Sequence, residues 1–259
     1  MKLIDSHAHL TFDEIANSLD EILSRSIEAG VTGWLTIGTD TEHNKKVASI
    51  IDEYENLYGA VGIHPHYASQ TTEADIELVK ELAKNRKIVA IGETGLDFHY
   101  DLSKRDAQIN LFEKLLQIAA ECSLPVIIHS RNAFDKTMEI IDKLENRLAK
   151  VVFHCWGGTV EQTQIVLDRG FYISFTGVVT FKNAMQTRDA AKIVPLEKMM
   201  LETDCPYMSP EPMRKQKINT PALMIYTARK IAELKNMPLE KFAQQVTKTT
   251  ENFFNLPTD

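Results

Sequence analysis

Ile88-Val89-Ala90-Ile91-Gly92-Glu93-Thr94-Gly95-Leu96-Asp97 is followed by an amphipathic segment from Ser103 to Glu121 and then by Pro125-Val126-Ile127-Ile128-His129-Ser130-Arg131. The apolar runs Ile88 to Ile91 and Pro125 to Ile128 have the length and β-branched content of strands buried on both faces, as parallel strands are. With the helical segment between them they make one β–α–β unit. The same alternation extends outward to both ends of the chain. Further apolar runs lie at Leu3 to Ile4, Val31 to Ile37, Leu57 to Ile63, Val151 to Phe153, Phe171 to Phe175 and Met199 to Leu201. Helical patterns cover Asp13 to Ala29, Glu42 to Tyr54, Thr72 to Asn85, Asn132 to Leu148, Val160 to Arg169 and Asn183 to Ile193, and two more follow the last run at Pro221 to Lys235 and Leu239 to Phe254. In the first of these, Ile15, Leu19, Ile22, Leu23 and Ile27 recur near helical spacing and Gly30 is placed to end the helix.

Eight strands alternating with helices predict an α/β chain folded as a single (β/α)8 TIM barrel, usually about 250 residues long. The chain has 259. An open doubly wound sheet competes less well, because no G-x-G-x-x-G follows the first strand and no phosphate-binding G-x-x-x-x-G-K-[ST] occurs. With no linker, low-complexity block or internal repeat to divide it, one domain is expected over residues 1–259.

Composition excludes several classes. At 44% hydrophobic and 25% charged residues, the chain can bury a core without staples, so disorder and a disulfide scaffold are ruled out. Cys122, Cys155 and Cys205 form no C-x-x-C pair and are odd in number, which points to reduced thiols and a cytoplasmic protein. No stretch approaches the roughly 18 to 20 apolar residues of a membrane span, and MKLIDSHAHL lacks the pattern of a signal peptide. A net charge of −7 argues against a broad basic surface for nucleic acid. It does not exclude a phosphate substrate, because bound metal ions can reverse the local field. No helix is so apolar on its outer face that it demands an obligate protein partner.

The chemistry gathers at the strand ends. His7 and His9 lie two residues apart in Asp5-Ser6-His7-Ala8-His9, so on extended chain both imidazoles point one way. Glu93 follows the fourth apolar run, His129 the fifth, His154 the sixth and Asp204 the eighth. In a barrel these ends converge on one mouth, which gives six potential metal ligands around a ring. Imidazole and carboxylate suit Zn²⁺, Mn²⁺ or Fe²⁺, and a carboxylate can bridge two ions. Two carboxylates against two divalent ions leave a net positive mouth that attracts an anion. His64, in Gly62-Ile63-His64-Pro65-His66, is expected to donate a hydrogen bond to substrate, and Arg131 to clamp a phosphate with its guanidinium fork. Cys155 and Cys205, adjacent to ligands, should pack behind the site, and Glu202 should point away by strand alternation unless the sharp turn near Pro206 brings it round to the site. His43 is expected on a solvated helix face and His99 in a loop.

Taken together, Asp5-Ser6-His7-Ala8-His9, Gly62-Ile63-His64-Pro65, Gly92-Glu93-Thr94-Gly95-Leu96-Asp97, Pro125-Val126-Ile127-Ile128-His129-Ser130-Arg131 and Glu202-Thr203-Asp204-Cys205-Pro206-Tyr207 resemble the TatD family of metal-dependent deoxyribonucleases, in order from residue 5 to about 210. The resemblance implies a barrel of the amidohydrolase-like superfamily with two divalent ions, Mg²⁺, Mn²⁺ or Zn²⁺. It places His7, His9, Glu93 and Asp204 on one ion and Glu93, His129 and His154 on the other. It further implies DNA as substrate and hydrolysis by an activated hydroxide, as a 3′–5′ exonuclease on single-stranded DNA. Glu93 and Asp204 are the catalytic candidates, Asp204 as ligand and proton acceptor. Glu93 stands where many amidohydrolases carry a carbamylated lysine, which separates the chain from urease-like and phosphotriesterase-like enzymes. Two departures stand out: Thr94 replaces an aliphatic residue, and Pro212 to Pro221 lacks the family's glycine and glutamate while keeping Arg214, Lys217 and Asn219. The same ligands would also serve an ester or amide hydrolase, for example one cleaving an aminoacyl-tRNA ester. A non-catalytic metal-binding scaffold is the third alternative.

Overall fold

The computed structural model describes residues 1–144 and 147–257. Eight parallel strands alternate with helices and form one sheet in chain order: β1 (Leu3–Ala8), β2 (Val31–Ile37), β3 (Leu57–Val61), β4 (Ile88–Asp97), β5 (Val126–Arg131), β6 (Val151–Phe153), β7 (Tyr172–Phe175) and β8 (Met199–Leu201). The fold is the expected (β/α)8 TIM barrel. Its helices are α1 (Asp13–Ala16), α2 (Leu19–Glu28), α3 (Thr41–Ile50), α4 (Glu73–Leu82), α5 (Arg105–Cys122), α6 (Phe134–Asp142), α7 (Val160–Asp168), α8 (Met185–Ile193), α9 (Met224–Leu234) and α10 (Leu239–Phe254). Among the described residues no helix is long and apolar enough to cross a membrane. Two compact units can be traced, Ile37–His154 and Met1–Thr36 with Cys155–Asp259.

In the unit Ile37–His154, β4 is buried along all ten residues and pairs with β5 through Ile91↔Val126, Thr94↔Ile128, Gly95↔His129 and Asp97↔Arg131. Gly95 makes this pairing possible. Its φ is +139°, and a Cβ there would lie 2.0 Å from the His129 carbonyl oxygen, so only glycine fits. The helix α5 buries Leu111, Phe112, Leu115, Leu116 and Ala119, a stripe at helical spacing. Thr72 and Asp75 form a capping box that starts α4.

In the other unit, β1 pairs with β2 and lies beside β8. The Ser6 hydroxyl donates to the Leu201 carbonyl (2.9 Å), the Asp204 N–H to the His7 carbonyl (2.9 Å) and the His9 N–H to the Cys205 carbonyl (2.8 Å). The last helix, α10, buries Phe242, Val246 and Phe253, and its Thr247 hydroxyl donates to the Lys2 carbonyl (2.8 Å).

Strand ends differ from the reading of the sequence where it matters most. An apolar scan stops β1 at Ile4, β4 at Ile91 and β5 at Ile128, yet the ladders continue to Ala8, Asp97 and Arg131. Backbone pairing is indifferent to side-chain polarity, so polar site residues prolong the strands unseen. The helix expected over Asp13 to Ala29 is broken into α1 and α2, with the Asn17 amide donating to the Asp13 carbonyl (2.8 Å) at the break. The helix expected over Asn132 to Leu148 contracts to α6, and its residues Glu145 and Asn146 lie outside the described residues.

Candidate metal centres

Alternation along β4 puts Glu93 and Asp97 on one face, and both are buried. Glu93 Oε1 lies 2.9 Å from His129 Nδ1, at β5, and 2.7 Å from His154 Nε2, just past β6; the two nitrogens are 3.4 Å apart. His64 Nε2 is 3.5 Å from the same oxygen. Three imidazoles thus face one carboxylate oxygen. Burial alone would raise the Glu93 pKa, but His154, His64 and His129 outweigh it and hold the carboxyl well below its usual range. His64, its charge disfavoured by burial, is lowered well below the ordinary histidine value. For His129 burial also opposes charge, but bonds to Asp97 and Glu93 prevail and raise its pKa. His64, Glu93 and His129 offer ligand atoms within 4.8 Å of one another. A buried set of nitrogen and carboxylate oxygen donors at this spacing fits a divalent transition ion.

The other unit carries a second such group: His7, His9 and Asp204. Asp204 Oδ1 lies 3.3 Å from His9 Nε2 and 3.7 Å from His7 Nε2. Its backbone is left-handed, φ +55°, a conformation that non-glycine residues adopt sparingly and that here needs outside support. Asp5 and Asn219 supply it. Asp5 Oδ1 accepts the N–H groups of His7 (3.3 Å) and Thr203 (2.9 Å), and its Oδ2 accepts the Thr203 hydroxyl (2.5 Å). Asn219 Nδ2 donates to the carbonyls of Thr203 (3.0 Å) and Tyr207 (2.7 Å), bracketing Asp204. Burial pushes the Asp5 pKa up to about 7 despite these bonds. The His9 ring stacks on Phe12, with centroids 4.7 Å apart.

Five of the six residues expected as ligands therefore meet one another at distances of 2.7 to 3.3 Å within their own unit, and His7 Nε2 reaches Asp204 Oδ1 at 3.7 Å. Arg131 stands apart. It ends β5 exposed, its guanidinium over the Tyr100 ring at 4.6 Å, and among the described residues it makes no ion pair to the Glu93 cluster. Glu202 is buried and accepts the Cys155 N–H (2.5 Å) and the Ser174 hydroxyl (2.6 Å), yet it does not point away as strand alternation suggested: a carboxylate oxygen lies within 4.8 Å of a His7 ring nitrogen, because the chain leaves regular strand geometry after Leu201. Cys205 is buried, and burial pushes its thiol pKa well up; His99 is exposed, as expected for a loop, while His43 is half-buried on α3. Sequence reasoning passed over Asp5, Asp97 and Asn219 as site residues. Period-two spacing from Glu93 to Asp97 was a usable signal; nothing local marked the partners of Asp5 or Asn219.

The model of the TatD related DNase family matches residues 4–255. The chain belongs to that family. As a TatD family member it is a metal-dependent hydrolase acting on ester bonds. It is 36% identical over 254 residues to an uncharacterized metal-dependent hydrolase, YabD, of Bacillus subtilis, covering 98% of this chain and 99% of that one. It is 34% identical over 234 residues to the 3′–5′ ssDNA/RNA exonuclease TatD of Shigella flexneri, covering 89% of this chain and 90% of the relative. Among solved structures, the TatD homologue YjjV of Escherichia coli K12 superposes with a TM-score of 0.93 at 29% identity, with 98% of each chain covered.

Proposed function

We propose that this TatD family chain is a 3′–5′ exonuclease that hydrolyses phosphodiester bonds of single-stranded DNA, as one barrel domain over residues 1–259. The observation that carries the reading is the convergence of Glu93 Oε1, His129 Nδ1 and His154 Nε2 within 3.4 Å. These residues would hold one divalent ion, and His7, His9 and Asp204 a second, each Mg²⁺, Mn²⁺ or Zn²⁺. The kinship with a relative named as a 3′–5′ ssDNA/RNA exonuclease supports the choice of bond. When bound, such ions supply Lewis acidity and hydroxide near neutral pH.

The remaining work falls to side chains. Asp204, through Oδ1, takes the proton of the attacking water. His64 Nδ1 accepts the His66 N–H (3.2 Å), which leaves the hydrogen of the neutral ring on Nε2, where it donates to a phosphoryl oxygen. Arg131 holds the phosphate with a charged, forked donor. On this reading the enzyme works in the cytoplasm, in keeping with three cysteines that form no disulfide among the described residues.

The test is protein stripped of metal, reloaded with Mg²⁺, Mn²⁺ or Zn²⁺ and incubated with an end-labelled single-stranded oligonucleotide, with Glu93→Ala treated identically. Shortening from the 3′ end that needs both ion and Glu93 is the expected result. No cleavage under any ion overturns the nuclease reading and leaves an ester or amide as the substrate bond.

A further inference from the structure

Asp97 is fully buried at the last position of β4, and its polar atoms are engaged on every side. Its backbone N–H donates to Gln108 Oε1 (2.8 Å), and its carbonyl accepts from Gln108 Nε2 (3.1 Å). Its Oδ1 accepts the backbone N–H groups of His99 (3.0 Å) and Tyr100 (2.9 Å). Its Oδ2 lies 3.0 Å from His66 Nε2 and 3.1 Å from His129 Nε2. The two backbone donors fix which carboxylate oxygen faces the imidazoles.

An ionised carboxylate only accepts hydrogen bonds, so a hydrogen must sit on His129 Nε2. A neutral imidazole has one N–H, which leaves a lone pair on Nδ1. That nitrogen is 2.9 Å from Glu93 Oε1 and 3.4 Å from His154 Nε2. The protonated ring donates to both carboxylates, but in the neutral ring, the form that can ligate a metal, the Nδ1 lone pair and the Glu93 oxygen cannot hydrogen-bond to each other and would converge on one cation. We infer that Asp97 is a positioning residue: it holds His129 in the Nε2–H tautomer and so presents Nδ1 to the ion that Glu93 and His154 share. The inference rests on the proposal that His129 is a ligand.

Asp97→Asn is the decisive variant. Its amide oxygen must stay on the two backbone N–H groups, so its NH₂ faces both imidazoles. It then donates to His129 Nε2 and moves the ring hydrogen to Nδ1, toward the ion. Asp97→Ala releases the ring without inverting it. A purely structural role predicts the opposite order of damage, because Ala deletes every side-chain bond whereas Asn keeps those to the backbone.

The experiment is calorimetric titration of the metal-stripped full chain with Mn²⁺, together with ¹⁵N imidazole spectra of the Zn²⁺-loaded wild type. Asp97→Asn should weaken one Mn²⁺ site about 10- to 100-fold, the range for loss of a ligand's orienting partner. Asp97→Ala should weaken it less, and His129 of the wild type should carry its proton on Nε2. Wild-type affinity in Asp97→Asn, equal or greater damage in Asp97→Ala, or a wild-type proton on Nδ1 overturns the inference. His129→Ala separates the two layers. If it binds both ions like the wild type, His129 is no ligand and the role of Asp97 falls with it. The wild-type spectra decide the matter even if neither Asp97 variant folds.

Discussion

Asp5 and Glu93 are both buried carboxylates, yet their neighbours push them in opposite directions. Imidazoles surround Glu93 and keep it ionised, whereas burial raises Asp5 from 3.8 to about 7. Between pH 4 and 7 the native state therefore holds a proton at Asp5 that the unfolded chain has released. The sign follows: Asp5's contribution to stability is present below about pH 4 and declines as pH rises toward 7, by at most about 1.4 kcal/mol per pH unit. In metal-stripped protein, urea unfolding of Asp5→Asn should show a shallower decline from pH 4.5 to 7.5 than the wild type. Parallel pH profiles for the two proteins would remove this role. Arg131 makes a different prediction at the same scale. As a phosphate clamp on an exposed strand end, it should be dispensable for folding. Arg131→Ala should raise KM for an oligonucleotide about tenfold, the order expected for one lost charge-assisted bond, and leave hydrolysis of a small uncharged ester unchanged. Equal effects on both substrates would count against the clamp.

Elements matter through the close fit of β4 on β5. The pair brings Glu93 and His129 together only because Gly95 lets the His129 carbonyl approach its Cα. Gly95→Ala would force a Cβ into that oxygen from an unfavourable φ, which should cost more than about 2 kcal/mol. The urea midpoint should fall and Mn²⁺ affinity should fall with it, since the strands must part where the ligands sit. A destabilised variant with wild-type affinity would show that register and ligation are independent. The turn after β8 works by another device: Asn219 reaches back to carbonyls on both sides of Asp204 and holds it in its left-handed conformation. Of the divergent segment 212 to 221, Asn219 is the part tied to the candidate metal centre, which gives a structural reason for its presence where the glycine and glutamate are missing.

For the whole molecule the net charge of −7 sets the character of substrate binding. Because that charge argues against a broad basic surface, the proposed contacts to nucleic acid reduce to the reacting phosphate and Arg131. Each neutralised phosphate of a single strand adds about −0.7 to the slope of log affinity against log salt, so the slope for log(kcat/KM) should be no steeper than about −2. A steeper slope would require a cationic surface that the reading does not contain.

The barrel and the roster of histidines and acids could be read from the chain alone, because apolar periodicity is local and ligand chemistry belongs to the residue type. Eight runs and their intervening helices specify the strand order, and H-x-H, Glu93, His129, His154 and Asp204 declare themselves by position at strand ends. Tertiary structure alone decided which atoms meet. His64 joins Glu93 across 29 residues of chain, Asp97 finds His129 and His66 at 32 and 31, and Asp5 finds Thr203 at 198. Hydrogen-bond partners at such separations follow from the register of neighbouring strands, to which the linear pattern of polarity is blind. The same holds for the nitrogen that His129 presents, which on our inference is selected by the buried Asp97 carboxylate on the far side of the ring.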